Sequence, residues 1–354
     1  MISETSGIKP RKSSLRWTFN KLKALRLSSP IPLDQLETSE VPEPRPGPGE
    51  ALIRLKAAAL NHRDLWQFIR GWQGSFILGS DGTGVVESLG PGATGLAPGA
   101  EVVINPSFDW GEREEAYSSQ FTILGNPRDG TFAEFIVVPA ENVFPKPPHL
   151  TWEEAGALPL AGLTAYRVLF SRATLQRGEH VLIHGIGGGV AILALQFAKL
   201  AGAMVMVTST SDEKLERALA LGADFGVNSR SGDWDKAARE WSGGEGVDVV
   251  VESVGGELFA RSIHALRLGG RLVTFGATGG PPPSFDLRTV YWNQLSILGS
   301  TMGSPSDFGA MLKIVNERKL KPVIDSVWPL AQGREALMRM AQGRQFGKIV
   351  LTCG

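Results

Sequence analysis

Four glycines crowd into the seven residues Gly185-Ile186-Gly187-Gly188-Gly189-Val190-Ala191, directly after the apolar run HVLIH at 180–184. Backbone without side chains can approach an anion closely, and the N–H groups that open a helix carry partial positive charge. The chemistry this composition suits is the binding of a dinucleotide pyrophosphate. The strict spacing G-x-G-x-x-G fails, because Val190 stands where the third glycine belongs. The frame G-x-x-G-x-x-A fits at Gly185, Gly188 and Ala191, and a small residue there still lets a helix pack against a strand. Gly185, Gly187, Gly188, Gly189 and Val190 are the expected cradle. About twenty residues further on, an NAD-specific site carries an Asp or Glu for the ribose hydroxyls. Here the residues are Ser209, Thr210 and Ser211, with Lys214 soon after. No carboxylate repels a 2′-phosphate, and hydroxyls and an ammonium can donate to it. Ser211-Asp212 can equally cap the next helix. The expected cofactor is NADP(H).

Such a loop works only between a strand and a helix. From about residue 152 the sequence alternates the two. Strands are expected at 180–184, 203–208, 247–251 and 271–275, and helices at 188–200, 212–221 and 257–266. That alternation predicts a parallel sheet covered on both faces. The first part differs. Short strands at 23–28, 51–58, 82–89, 100–104 and 132–138 are separated by Gly/Pro turns, which predicts a β-rich barrel or sandwich. Residues 105–130 show no period and read as a long excursion. The tail holds two helical patterns and ends in the apolar run KIVLT at 348–352, which needs a sheet and should return to the first domain.

Composition excludes several classes. Lys plus Arg and Asp plus Glu number 36 each, so the net charge is zero, and a nucleic-acid binder would carry a basic excess. Hydrophobic residues are 42% and charged residues 20%, an ordinary profile for a folded core. The single cysteine, Cys353, cannot build an internal disulfide or a cysteine zinc site. The most apolar helical run, 190–200, is too short to span a membrane and contains Lys199. Residues 1–22 are basic and serine-containing, like a transit peptide, but lack a long amphipathic face; a surface extension is the expectation. His62, His149, His180, His184 and His264 show no paired metal spacing.

GPGEALIRLKAAALNHRDL (47–65), LGSDGTGVVESLGPGATGLAPGAEVV (78–103), LAGLTAY (160–166), the glycine loop and FGKIVL (346–351) together resemble the medium-chain dehydrogenase/reductase superfamily. The resemblance implies an α/β chain with a GroES-like β-rich catalytic domain built from both ends and a central Rossmann domain with a doubly wound parallel sheet. It divides the chain into an extension (1–22), the first catalytic part (23–155), the Rossmann domain (156–291), and the last Rossmann strand with the return (292–354). Zinc alcohol dehydrogenases of the superfamily hold their catalytic metal with Cys, His and Cys. Asn61, Ser80 and Leu160 look like the matching positions, with Asp81 as the retained acid, and no cysteine lies within 105–130. No metal is therefore expected, and the chain is similar to the zinc-independent quinone oxidoreductase and alkene reductase branch.

By the same resemblance Asn61, His62 and Asp64 mark the reacting site. Asn61 would donate to substrate or nicotinamide, His62 would meet the cofactor phosphates, and Asp64 would orient its neighbours. Asn61 and Asp64 can also simply cap the following helical turn. Thr164 and Phe275-Gly276-Ala277 would face the nicotinamide, and Lys348 would reach the pyrophosphate. The expected activity is hydride transfer from NADPH to a quinone or an α,β-unsaturated carbonyl. Reduction of ketones or aldehydes, and an NADP(H)-binding sensor without turnover, are the alternatives. A small-molecule substrate is expected, with no nucleic-acid or membrane partner, a cytoplasmic location with organellar import left open, and a homodimer paired through the unguarded strand QLSILG at 294–299.

Overall fold

Short strands joined by Gly and Pro turns suit antiparallel pairing, and the first part of the chain pairs them so, except for the short parallel contact at residues 123–124 and 127–128. The computed structural model describes residues 21–354, apart from 70, 71, 73 and 283. Its first part contains β1 (Lys21–Leu27), β2 (Thr38–Pro42), β3 (Glu50–Ala59), α1 (His62–Trp66), β4 (Phe76–Ile77), β5 (Asp81–Leu89) and β6 (Glu101–Ile104). Then come β7 (Ser107–Phe108), β8 (Thr122–Leu124), β9 (Pro127–Arg128), β10 (Phe135–Pro139), β11 (Val143–Pro145), α2 (Trp152–Gly156) and α3 (Pro159–Tyr166). The 1–22 extension lies outside the described residues except for Lys21 and Leu22, which already belong to β1. Residues 105–130 are not irregular throughout. They hold the small sheet β7-β8-β9, whose two- and three-residue strands are too short to show alternation.

The second part contains β12 (His180–Ile183), α4 (Gly189–Leu200), β13 (Met204–Ser209), α5 (Asp212–Ala220), β14 (Phe225–Asn228), α6 (Trp234–Trp241), β15 (Val247–Glu252), α7 (Gly256–Ala265) and β16 (Leu266–Thr274). It closes with α8 (Leu287–Trp292) and β17 (Ser296–Gly299). These strands form a six-stranded parallel sheet in the order β14-β13-β12-β15-β16-β17. The runs VLI of β12 and VVV of β15 are buried throughout, as strands covered on both faces must be. The order reverses at β12, where a doubly wound sheet opens its ligand crevice. The fold is therefore the expected Rossmann sheet beside a GroES-like domain.

After β17 the chain forms α9 (Pro305–Arg318), β18 (Ile324–Pro329), α10 (Gly333–Ala341) and β19 (Lys348–Thr352). The tail does return to the first domain. β19 pairs antiparallel with β3 and parallel with β18, in the sheet order β11-β6-β5-β3-β19-β18. Leu351 and Ile349 thereby join Leu55, Ile53, Phe76 and Phe132 in one core. This pairing places Lys348 beside α1.

Candidate active site

The glycine loop connects β12 to α4 at the crevice. Gly185 (φ +66°) and Gly187 (φ +124°) adopt backbone that side chains rarely tolerate. Two lysine stems press against the loop. A Cβ at Gly187 would lie 2.8 Å from Lys214 Cδ, and one at Gly189 would lie 2.5 Å from Lys348 Cδ. Lys214 Nζ donates to Gly343 O at 2.7 Å, and the Gly347 N–H donates to Gly187 O at 3.0 Å. The tail and the Rossmann loop are thus tied together. Ser211 caps α5 by accepting from Lys214 N at 3.4 Å, and Ser209 Oγ accepts from Ser211 N at 3.1 Å. Thr210 is exposed.

A cleft of about 390 Å³ runs from this loop to α1. Of the residues expected at the cofactor, Thr164, Gly185, Gly188, Gly189, Val190, Lys214, Phe275, Gly276 and Lys348 line it, with Asn61 and His62 at the far end. Gly187, Ser209, Thr210, Ser211, Ala277 and Asp64 stand outside the lining. Sequence reasoning missed Ser253, Val254 and Thr278, which line the cleft. Buried Glu252 shapes that wall, accepting from Val254 N at 2.7 Å and Gly255 N at 2.9 Å. Burial pushes its pKa up. The acid ending the run VDVVVE was the one available signal.

At the far end sits a buried polar network. Lys348 Nζ donates to Asn61 Oδ1 at 2.6 Å, Leu60 O at 2.7 Å and Asp81 Oδ2 at 2.8 Å. Asn61 Nδ2 also donates to Asp81 Oδ2, at 3.0 Å, and Leu160 N donates to Asp81 Oδ1 at 2.6 Å. Lys348 therefore directs its ammonium to α1 and not, as expected, to a pyrophosphate; only its stem crosses the glycine loop. An ammonium has three donors, and all three are used here. Asn61 is likewise engaged at both ends of its amide, so it is not the free donor that was expected.

Asp64 accepts from Asn61 N at 2.8 Å. It is fully buried, and desolvation lifts its pKa to about 6 against the pull of Arg63. Thr164 returns its hydroxyl to Leu160 O at 2.8 Å. His62 keeps an exposed surface at the cleft; partial desolvation, with the positive charge of Lys348 and Lys214, moves its pKa down. Arg63, absent from the expected set, donates through Nη1 to Ser80 Oγ at 2.6 Å and to Leu124 O. Two other histidines are structural. His184 is bonded to Thr208 and Ser262, with burial lowering its pKa to about 3, and His149 meets Leu320 O.

The residues do not fit a catalytic zinc. Asn61 and Ser80 each hold one of the chain's own cations, and Leu160 offers an alkyl group. Among the described residues no group of three His, Cys, Asp or Glu side chains converges. A dinucleotide fits better. The glycine cradle opens onto the N-terminus of α4, and the crevice lies at the sheet's reversal.

Comparison with known proteins agrees with this architecture. Residues 47–148 match the alcohol dehydrogenase GroES-like domain, and residues 189–317 match the zinc-binding dehydrogenase family. The chain is 35% identical to the zinc-type alcohol dehydrogenase-like protein YogA of Leptosphaeria maculans, over 89% of this chain and 94% of that protein. A solved NAD-dependent alcohol dehydrogenase superposes with a TM-score of 0.89 at 42% identity, covering 94% of this chain and all of that one. A 2-octenoyl-CoA carboxylase reductase, solved with NADP and 2-octenoyl-CoA, gives 0.87 at 30% identity over 94% of this chain and 88% of that one. The chain belongs to the medium-chain dehydrogenase/reductase superfamily and is an oxidoreductase of that type.

Proposed function

We propose that this protein is an NADPH-dependent, metal-free reductase of quinones or α,β-unsaturated carbonyls. The observation that carries the reading is the filling of the would-be metal site. Lys348 and Arg63 occupy the two polar positions, Asn61 and Ser80, that would otherwise hold a Lewis acid. Without a Lewis acid the oxidation of a simple alcohol is hard to promote, whereas a conjugated acceptor delocalises the incoming electron pair onto oxygen. The resemblance to a 2-octenoyl-CoA carboxylase reductase supports the same chemistry.

The cofactor would lie along the cleft, with its pyrophosphate on Gly185–Gly189 and its nicotinamide between Thr164 and Phe275-Gly276. When bound, it supplies hydride. Ser209, Thr210, Ser211 and Lys214 form the end of β13 and the start of α5, and no acid precedes Asp212 there. That is the basis for preferring NADPH. A homodimer and a cytoplasmic location belong to this reading; among the described residues no helix is long and apolar enough to cross a membrane. A second reading, NAD-dependent ketone or aldehyde reduction, is favoured by the 42% identity to an NAD-dependent alcohol dehydrogenase.

Steady-state oxidation of NADPH and NADH with menadione, cyclohexenone and simple ketones separates the two. Turnover of the first two acceptors with NADPH, in protein with less than stoichiometric zinc and unchanged by chelator, is expected. Turnover of ketones alone, or one tightly bound zinc per chain, would overturn the reading.

A further inference from the structure

Two organic cations stand at the catalytic end of the cleft, and they differ in what they have left to give. Lys348 has spent its three donors, and Asp81 neutralises it at 2.8 Å. Arg63 has no such contact ion pair, and the Asp64 and Asp81 charges act on it only from beyond contact distance. No carboxylate oxygen lies within 4.0 Å of its guanidinium among the described residues. Its Nη1 is committed to Ser80 Oγ and Leu124 O, while Nη2 has only a long bond of 3.4 Å to Asn126 O. Nε and the second Nη2 hydrogen have no acceptor among the described residues, and Nε is not among the buried polar atoms left without a partner. The side chain lines the cleft beside Trp66, Ile123 and Leu160. A guanidinium stays protonated and presents parallel donors to one oxygen or two. Two fixed bonds hold it in place, so reorganisation on meeting new charge is small.

We propose that Arg63 is a catalytic residue, the electrophile that receives the substrate's carbonyl oxygen in place of a metal. This rests on the conjugate-reductase reading. The β-carbon of the unsaturated carbonyl accepts a hydride from the reduced nicotinamide, forming a C–H bond. The C=C π pair shifts to join Cα to the carbonyl carbon, and the C=O π pair moves to oxygen. The product of that step is an enolate plus oxidised nicotinamide. Water then protonates Cα and the carbonyl re-forms. Arg63 acts on the enolate oxygen, where negative charge grows between the two ground states. The class of substrate is an activated alkene whose carbonyl end lies toward α1 and the Ile123–Leu160 wall.

The test uses Arg63→Met, Arg63→Lys and the unmodified protein. With cyclohexenone, Arg63→Met should lower kcat by about 100-fold or more, the size of losing a pre-placed oxyanion donor. Its NADPH dissociation constant should stay within about twofold, because the assigned contact is with substrate. Arg63→Lys should keep at least about a tenth of kcat, since it retains the charge. Para-nitrophenol, an oxyanion mimic whose phenolate band is visible, should have its pKa lowered by about one unit on binding the unmodified protein, and not by Arg63→Met. A kcat for Arg63→Met within about threefold of the unmodified protein overturns the assignment. So does equal loss in the Met and Lys variants, or an unshifted para-nitrophenol in the unmodified protein. If Arg63→Met does not fold, the Lys variant and the nitrophenol titration decide. Unmodified protein that oxidises no NADPH with any enone or quinone overturns the reductase reading, and the titration then still reports on Arg63.

Discussion

Asp64 carries a charge where water cannot reach it, 1% exposed beneath α1. Its pKa stands near 6, above the ordinary 3.8. Between those pH values the folded chain holds more protons at this site than the unfolded chain. Stability therefore falls as pH rises through that window, and above pH 6 the full cost persists. Asp64→Asn keeps an oxygen for the Asn61 N–H and removes the charge. It should stabilise the protein at pH 8 by on the order of 1–3 kcal/mol, less what the Arg63 charge returns, and by almost nothing near pH 4. Urea unfolding at the two pH values checks this; a variant less stable at pH 8, or equally affected at both, would refute it. The residues of this end were legible one by one, through the resemblance, but their partners were not. Lys348 meets Asn61 across 287 positions and Arg63 meets Leu124 across 61, and no local spacing encodes such contacts. Arg63 was visible in NHRD, yet nothing in the string says that no carboxylate touches its guanidinium.

At the scale of elements, the glycine loop offers a paired test. Gly187→Ala asks for φ near +124° and a Cβ 2.8 Å from Lys214 Cδ. It should cost about 1–3 kcal/mol in strain and weaken NADPH binding at least about tenfold by displacing the loop. Gly188→Ala, at φ −76° with its nearest neighbour 4.0 Å away, should leave the melting temperature unchanged. Fluorescence titration and thermal unfolding read both; unchanged NADPH binding in Gly187→Ala would sink the loop as the phosphate cradle. Strongly periodic elements were legible. The alternation after residue 152 and the return of KIVLT to the first domain came straight from apolar pattern. β14 and β18 escaped because their four and six residues are half-exposed, so neither shows a buried run. α6 escaped although Trp234 and Ala238, one helical turn apart, are both buried; that period was present and went unread. In residues 105–130 order comes from distant ties instead. Arg167 binds the carbonyls of Glu114 and Glu115 at 2.9 Å each while paired with Asp307, and Ser107 binds Gly303 O at 2.8 Å.

For the molecule as a whole, the edge at β17 governs assembly. β17 has β16 on one side and no strand on the other among the described residues. Beside it Leu268, Leu287, Tyr291 and Trp292 are 71%, 67%, 62% and 79% exposed. An unpaired edge flanked by bare apolar side chains is what a second copy would cover. Light scattering should report a dimer at micromolar concentration, and Trp292→Glu should shift it to monomer without loss of secondary structure. A monomer for the unmodified protein would end the proposal. The position of β19 bears on how the chain is made. The ribosome delivers β3 early and β19 nearly three hundred residues later, yet the two are neighbours in one sheet. The parallel sheet between them is contiguous in sequence and can close while synthesis continues, whereas the first domain must wait with Ala57–Ala59 of β3 lacking the neighbour that β10 does not supply. Lys348 arrives with that last strand. Until it does, Asp81 lacks the ammonium that lies against it in the finished chain, and the Asn61 carbonyl oxygen lacks the donor that fixes it.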